Sequence, residues 1–244
     1  MLIVDAHLDI AWNALQWNRD QLVPVETMRT MEIETDGKGR ARGTVAFPQL
    51  RRGRVALSFA TLLARSTGRS EPHIDFGSPY QACAVARGQL AYYRALEADG
   101  HVRVITDSGA LDAHIADWEQ WERGARPDPD ASPPLGFVIS MEGADPILSP
   151  DRIDEWWVAG LRLLGLTHYG PGRYAGGTRT EEGLTDLGTA ILPHLERLGI
   201  AVDLTHCSDP AFWRRSSATE GRCSRVTTTA APWCLTSGNS ATSN

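Results

Sequence analysis

GFVISM at residues 136–141, running into Glu142-Gly143, is an apolar stretch bounded by a turn signal. It reads as a strand buried on both faces, the kind a parallel sheet requires. The same type recurs on either side. Upstream lie LIVDA at 2–6, running into His7-Leu8-Asp9, then VALSFATLL at 55–63 and a short strand or connector at 102–105. Downstream lie LRLLGLT at 161–167, ending in His168, and IAVDLT at 200–205, ending in His206. Segments with helical spacing separate them: 78–99 stopped by Gly100, 111–121, 150–159 with a proline in its first turn, 185–198 stopped by Gly199, and a helix from about Asp209. Polar stretches at 34–44 and 126–134 are loops. The alternation predicts an α/β fold with a parallel sheet and crossover helices. A doubly wound sheet and an eight-stranded barrel both fit this order. No GxGxxG follows the first strand, which weighs against a dinucleotide-binding fold.

Composition narrows the function classes. The chain has 244 residues, 42% hydrophobic and 22% charged, as in an ordinary globular protein. No apolar run is long enough to span a membrane, and the start lacks the basic flank and long apolar core of a signal peptide. A cytoplasmic location without membrane attachment is therefore expected. The net charge of -6 argues against nucleic acid as a partner. The four cysteines are scattered without a CxxC pair, which argues against a zinc ribbon or a disulfide framework. Lys38 is the only lysine among 24 basic residues, a sign of a GC-rich gene.

Four predicted strands end in a metal-ligand type: His7 with Asp9, then Glu142, His168 and His206. In parallel α/β folds the carboxyl ends of the strands share one face, so these residues converge. His7 and Asp9, two apart, point to one side of a strand and can hold one cation. Glu142 has two oxygens and can bridge two cations. Each residue alone has a bland reading, as a hydrogen-bonded core group or a turn; the set on successive strands argues for a metal site. His73, His101, His114 and His194 fall in loops or helices and are expected at the surface. GPGRYAGG at 170–177 lacks the Lys-Ser/Thr ending of a phosphate loop and is expected to be a mobile substrate loop. Trp156 and Trp157 are expected in packing.

His7-Leu8-Asp9, Met141-Glu142-Gly143, Leu166-Thr167-His168, GLTDLG at 183–188 and VDLTH at 202–206 occur in that order. As a set they resemble the membrane (renal) dipeptidase family of zinc metallopeptidases, in a soluble bacterial form, over residues 1–213. The resemblance implies a TIM-type (β/α)8 barrel of the metal-dependent hydrolase kind with two zinc ions (Zn2+). It implies that His7 and Asp9 hold one zinc, Glu142 bridges both, His206 holds the second, and His168 contacts the substrate and stabilises the tetrahedral intermediate. A hydroxide between the metals would attack the peptide bond of a dipeptide substrate. A homodimer stays open.

The family pattern continues with a strand ending in Ser-His, a substrate-binding Arg and a late Asp. Residues 214–244 offer none of these, so the barrel is expected to be incomplete and the second zinc site short of ligands. Of those 31 residues, 26 are Arg, Ser, Ala, Thr, Gly, Cys, Pro or Trp, against 15 of the 31 before them. These types share G or C at the second codon base, which is what a GC-rich gene yields when read out of frame. Restoring one G near the Trp213 codon produces the segment PVLASH, an apolar strand ending in Ser-His. Residues 214–244 are therefore read as a non-homologous, out-of-frame and disordered tail, and 1–213 as the N-terminal part of the barrel, impaired in this copy. Two alternatives remain at this stage: another metal-dependent amidohydrolase, or an inactive fragment.

Overall fold

The computed structural model describes residues 1–69, 71, 73–124, 128–218 and 223–224. In chain order the elements are β1 (Ile3–Leu8), α1 (Ile10–Gln16), α2 (Val25–Met31), α3 (Phe47–Arg52), β2 (Val55–Leu62), α4 (Pro79–Ala98), β3 (Val102–Val104), α5 (Ser108–Glu122), β4 (Leu135–Glu142), α6 (Ile153–Val158), β5 (Leu161–Gly165), α7 (Asp186–Leu198), β6 (Ala201–Asp203), α8 (Asp209–Ala218) and β7 (Cys223–Ser224). All seven strands form one parallel sheet in the order β1-β2-β4-β5-β6-β7, with β3 on β4. One edge of β4 pairs with β2. Its other edge is divided: Leu135 to Phe137 take β3, and Ile139 to Glu142 take β5. Among the described residues β1 pairs only with β2 and β7 only with β6, so the sheet does not close. The architecture is an incomplete (β/α)8 barrel.

Both faces of the sheet are buried at its central strands β2, β4 and β5, which is why those strands read as apolar runs. Leu135, Phe137, Ile139 and Met141 are each at most 1% exposed, and Tyr93, Trp118 and Trp156 fill the layer outside them. Tyr93 also pins elements together: its hydroxyl accepts from Ala11 N at 3.0 Å and donates to Thr61 O at 2.9 Å. Gln89 does the same one turn earlier, bonding both Leu63 N and Leu63 O. Helix α4 thereby fixes the carboxyl end of β2.

Register brings the other carboxyl ends level. Leu8 lies beside Ala60, Leu62 beside Met141, Glu142 beside Gly165, and Gly165 beside Asp203. These ends make one rim, and the chain leaves it through loops.

The structure departs from the sequence reading in several places. Helices α1, α2 and α3 were not expected; at six or seven residues they are too short to show a periodic signal. The 150–159 segment divides into a 3-10 turn at Pro150–Arg152 and the helix α6. Strand β6 stops at Asp203, because Asp203 Oδ1 accepts from Thr205 N at 2.8 Å and turns the chain outward. His114 is fully buried, not a surface residue: its Nε2 lies 2.8 Å from Ala56 O, and α5 carries it beneath the sheet beside Gly136. The 170–177 stretch, expected to be a mobile substrate loop, is packed against its neighbours. Tyr174 and Ala175 are fully buried, and Gly172 N, Gly176 N and Gly177 N bond to Ala175 O, Gly183 O and Gly170 O. Trp156 is 2% exposed and packs in the core as expected. Cys223–Ser224 pair with β6 in a stretch where the sequence offers no strand; the rest of the 219–244 segment lies outside the described residues.

Candidate metal centre

Five side chains meet at the rim. His7 lies in β1 and Asp9 directly after it, at the head of α1, where its carboxylate makes no capping bond. Glu142 is the last residue of β4. Gly143, at φ +91°, then turns the chain away in a conformation that L side chains disfavour. His168 and His206 each stand three residues beyond their strands, β5 and β6, on the turns that follow. His206 adopts φ +66°, an uncommon backbone state for a residue with a side chain.

Glu142 is the hub. Its Oε2 is 3.7 Å from His7 Nε2, while its Oε1 is 3.0 Å from His206 Nε2 and 3.6 Å from His168 Nε2. His7 Nε2 is also 3.5 Å from Asp9 Oδ1. The donors therefore form two groups that share Glu142: His7, Asp9 and Glu142 in one, and Glu142, His168 and His206 in the other. The imidazoles of His168 and His206 meet edge to face, with ring centres 4.5 Å apart. All four residues of the rim set expected from the sequence as metal ligands, together with His168, are brought together.

The donor set fits a divalent cation. Asp9 Oδ1 is buried without a hydrogen bond, which is costly for a carboxylate oxygen unless a cation answers it. Two ligands of one tetrahedral zinc, at bonds of about 2.1 Å, stand roughly 3.4 Å apart. The spacings of 3.0 to 3.7 Å bracket that value. Nitrogen and carboxylate donors are also the types zinc takes.

The electrostatics agree. Burial disfavours a charged His7, yet the nearby Asp9 carboxylate, toward which a protonated His7 points its Nε2, and the charges of Glu142 and Asp203 outweigh it and push the imidazole up to about 9. The pull that protonates His7 is a surplus of negative charge. His168 moves the other way, down to about 3, chiefly through burial and then through His206, Arg65 and His7. It stays neutral.

A cleft of about 240 Å³ opens beside His7 and Asp9, walled by Asn13, Arg19, Arg42 and Thr44. Three supporting residues were not anticipated. Arg65, just past the end of β2, places Nη1 3.4 Å from His168 Nδ1. Thr178 places Oγ1 3.1 Å from His206 Nδ1. Asp145 is 3% exposed and accepts from Ser66 N and Arg173 N, each at 2.8 Å, tying three rim loops. Arg65 follows a buried strand directly, the same signal that marks the histidines. Thr178, in a loop without periodicity, carries no such signal. Gly177, next to it, passes so close to His168 O that a Cβ there would collide.

Comparison with known proteins gives the class. The profile of the family described as membrane dipeptidase (Peptidase family M19) matches residues 1–221. The chain belongs to that family. Its fold is similar to that of dipeptidase AC, a metallo peptidase, at 21% identity and TM-score 0.69, over 93% of this chain and 62% of that one. It is similar also to a metallo peptidase from Rhodobacter sphaeroides liganded with a phosphinate mimic of the dipeptide L-Ala-D-Ala, at 20% identity and TM-score 0.67, over 93% and 64%. The probable dipeptidase PvdM from Pseudomonas aeruginosa matches at 17% identity and TM-score 0.60, over 89% and 50%. A curated relative, the "Uncharacterized protein in PQQ-III 3'region" of Acinetobacter calcoaceticus, is 30% identical over 88 residues, 32% of this chain and 28% of that protein. The chain thus spans less than two thirds of the length of each of these proteins. No helix among the described residues is long and apolar enough to cross a membrane.

Proposed function

We propose that the chain is the N-terminal part of a zinc dipeptidase. The observation that carries this reading is the divergence of the two Glu142 oxygens, Oε2 toward His7 and Oε1 toward His206. One carboxylate facing two donor groups is the arrangement a binuclear centre needs. His7, Asp9 and Glu142 would hold a first zinc, and Glu142 and His206 would contribute to a second. Zinc bound there would supply hydroxide at neutral pH and polarise a peptide carbonyl. His168, kept neutral, would contact the carbonyl oxygen of the peptide. The cleft beside Asp9 receives a small peptide, and Arg42 in its wall favours the carboxylate end.

From residues 1–213 the second zinc draws only Glu142 and His206, too few for tight binding. We read 214–244 as an out-of-frame tail, and the chain as written as impaired. Sequencing the gene across the Trp213 codon tests the first statement. Metal analysis and an assay against a dipeptide panel and a lactone panel test the rest. The expected result is about one tightly held zinc per chain, with little hydrolysis until the frame is repaired. After repair, dipeptides should be cleaved and lactones left intact. Cleavage of lactones alone would favour another amidohydrolase, and a repaired protein that binds no zinc would end the metallopeptidase reading.

A further inference from the structure

The polar groups that line the cleft beside Asp9 differ in how they are engaged. Arg19 directs its donors to Glu32, Asn13 and Gly39 O. Asn13 accepts from Arg19 and donates to Asp9 O at 2.9 Å. These two serve the wall itself.

Gln21 is different. It lines the cleft and is 2% exposed, yet its side-chain amide makes no hydrogen bond to any described residue. The residue is held in place by its backbone, since Gln21 O accepts from Phe47 N at 2.8 Å at the head of α3. A primary amide has two donor hydrogens and one acceptor oxygen, and a buried one without partners is an exception in a folded chain. The apolar side chains beside it, Leu8, Ile10 and Val45, cannot answer it. Arg42 also lines the cleft, but it is exposed and enters no ion pair among the described residues. The cleft thus has an open cation at its mouth and an open amide inside. Its volume of about 240 Å³ is below the roughly 300–1,000 Å³ of pockets for drug-sized ligands, so it takes one residue of a peptide.

We propose that Gln21 is a specificity-determining residue, and that the cleft takes a C-terminal asparagine or glutamine whose carboxylate meets Arg42 and whose side-chain amide pairs with that of Gln21. The placement of a peptide here rests on the dipeptidase reading. An amide head brings Gln21 both a donor and an acceptor. A carboxylate brings acceptors alone and leaves the Gln21 oxygen facing another oxygen. A thioether or a methyl group leaves the amide unanswered. Apolar walls discriminate weakly between side chains of similar size, whereas a buried polar group left unpaired rejects the wrong one strongly.

The test is NMR titration of the 15N-labelled full chain with Ala-Gln, Ala-Glu and Ala-Met, without added metal so that no peptide is cleaved. The probe signal is the side-chain NH2 of Gln21, assigned with Gln21→Met, which keeps the volume. Ala-Gln should move this signal and bind about tenfold or more tighter than Ala-Met, with Ala-Glu between them. Gln21→Met should bring Ala-Gln and Ala-Met within about twofold of each other. Arg42→Met should weaken all three and keep their order. Equal binding of Ala-Gln and Ala-Met by the unsubstituted chain would overturn the proposal, whether or not any variant folds. So would a Gln21 signal that no probe moves, tighter binding of Ala-Glu or of the reversed Gln-Ala than of Ala-Gln, or an unchanged preference in folded Gln21→Met. A repaired protein that shows this order of binding and cleaves no dipeptide would sink the dipeptidase reading and leave the amide pairing standing. One that cleaves Ala-Gln and Ala-Met equally well would do the reverse.

Discussion

Replacing Glu32 by glutamine should measurably loosen the wall of the cleft. Glu32 sits in the excursion between α1 and α3 and takes four donors. Its Oε1 accepts from Arg19 Nε and Arg40 Nη1, each at 2.8 Å, and its Oε2 from Arg19 Nη2 at 3.0 Å and Ala41 N at 2.9 Å. Arg19 in turn bonds Asn13 Oδ1 and Gly39 O, and both guanidiniums stack on Trp17, at 4.6 and 4.9 Å from its ring centre. The hydrogen bond from Arg19 is the main cause that holds the Glu32 carboxyl at about 2, with Arg40 and Ala41 N adding to it against the opposing effect of burial. Against an ordinary value of 4.5, that difference corresponds to about 3 kcal/mol in favour of the charged form. Arg40 is 22% exposed and solvent screens part of this, leaving about 2 kcal/mol. Glu32→Gln also strands two arginines, so a total loss of about 2–4 kcal/mol is expected. The assay is urea unfolding followed by tryptophan fluorescence, at neutral pH and then at falling pH. A carboxyl lowered in the folded state stabilises fully above its unfolded value and loses that contribution as pH falls toward its folded value. The gap between wild type and variant should therefore be full above about pH 4.5 and close toward about pH 2. A gap under about 0.5 kcal/mol at neutral pH, or one that does not change with acid, would refute the reasoning.

Three further outcomes follow from the rim and the core. Asp145→Ala leaves the N–H groups of Ser66 and Arg173 without their acceptor and should cost about 2–4 kcal/mol in urea unfolding. Burial lowers the His114 imidazole below its ordinary 6.5 and keeps it neutral. The stability this confers is complete above that value and fades as pH falls below it, so His114→Gln should flatten the dependence of Tm on pH on the acid side. Asp9→Ala removes one of three donors from the first group, and Glu142→Gln weakens the carboxylate common to both. In the frame-repaired protein, zinc per chain measured by elemental analysis should fall more for Glu142→Gln than for Asp9→Ala, and equal losses would argue against a shared ligand.

Much of this architecture was legible in the residues. The apolar run at 136–141 is β4, and the helices expected at 78–99 and 185–198 are α4 and α7 within a residue or two. Long periodic segments carry that information, because each turn repeats the burial pattern. Short elements do not, which is why α1, α2 and α3 went unread. His7, Asp9, Glu142, His168 and His206 were visible because a polar residue at the end of a buried strand has few other reasons to be there. His114 misled, since a helix position says nothing about which face turns inward. Arg65, Thr178 and Asp145 act across distances in sequence of roughly 30 to 100 residues, and nothing local marks such pairs.

Asp145 has one more consequence. Ser66 follows Arg65 directly, and Arg173 belongs to the loop that runs from His168 to Thr178. A single carboxylate therefore ties together the loop that carries Arg65 and the loop that carries His168. Opening the loop beyond β2 or β5 alone would break its bond to Asp145, so displacing His168 strains its neighbours as well, as a clasp moves with the strap it fastens.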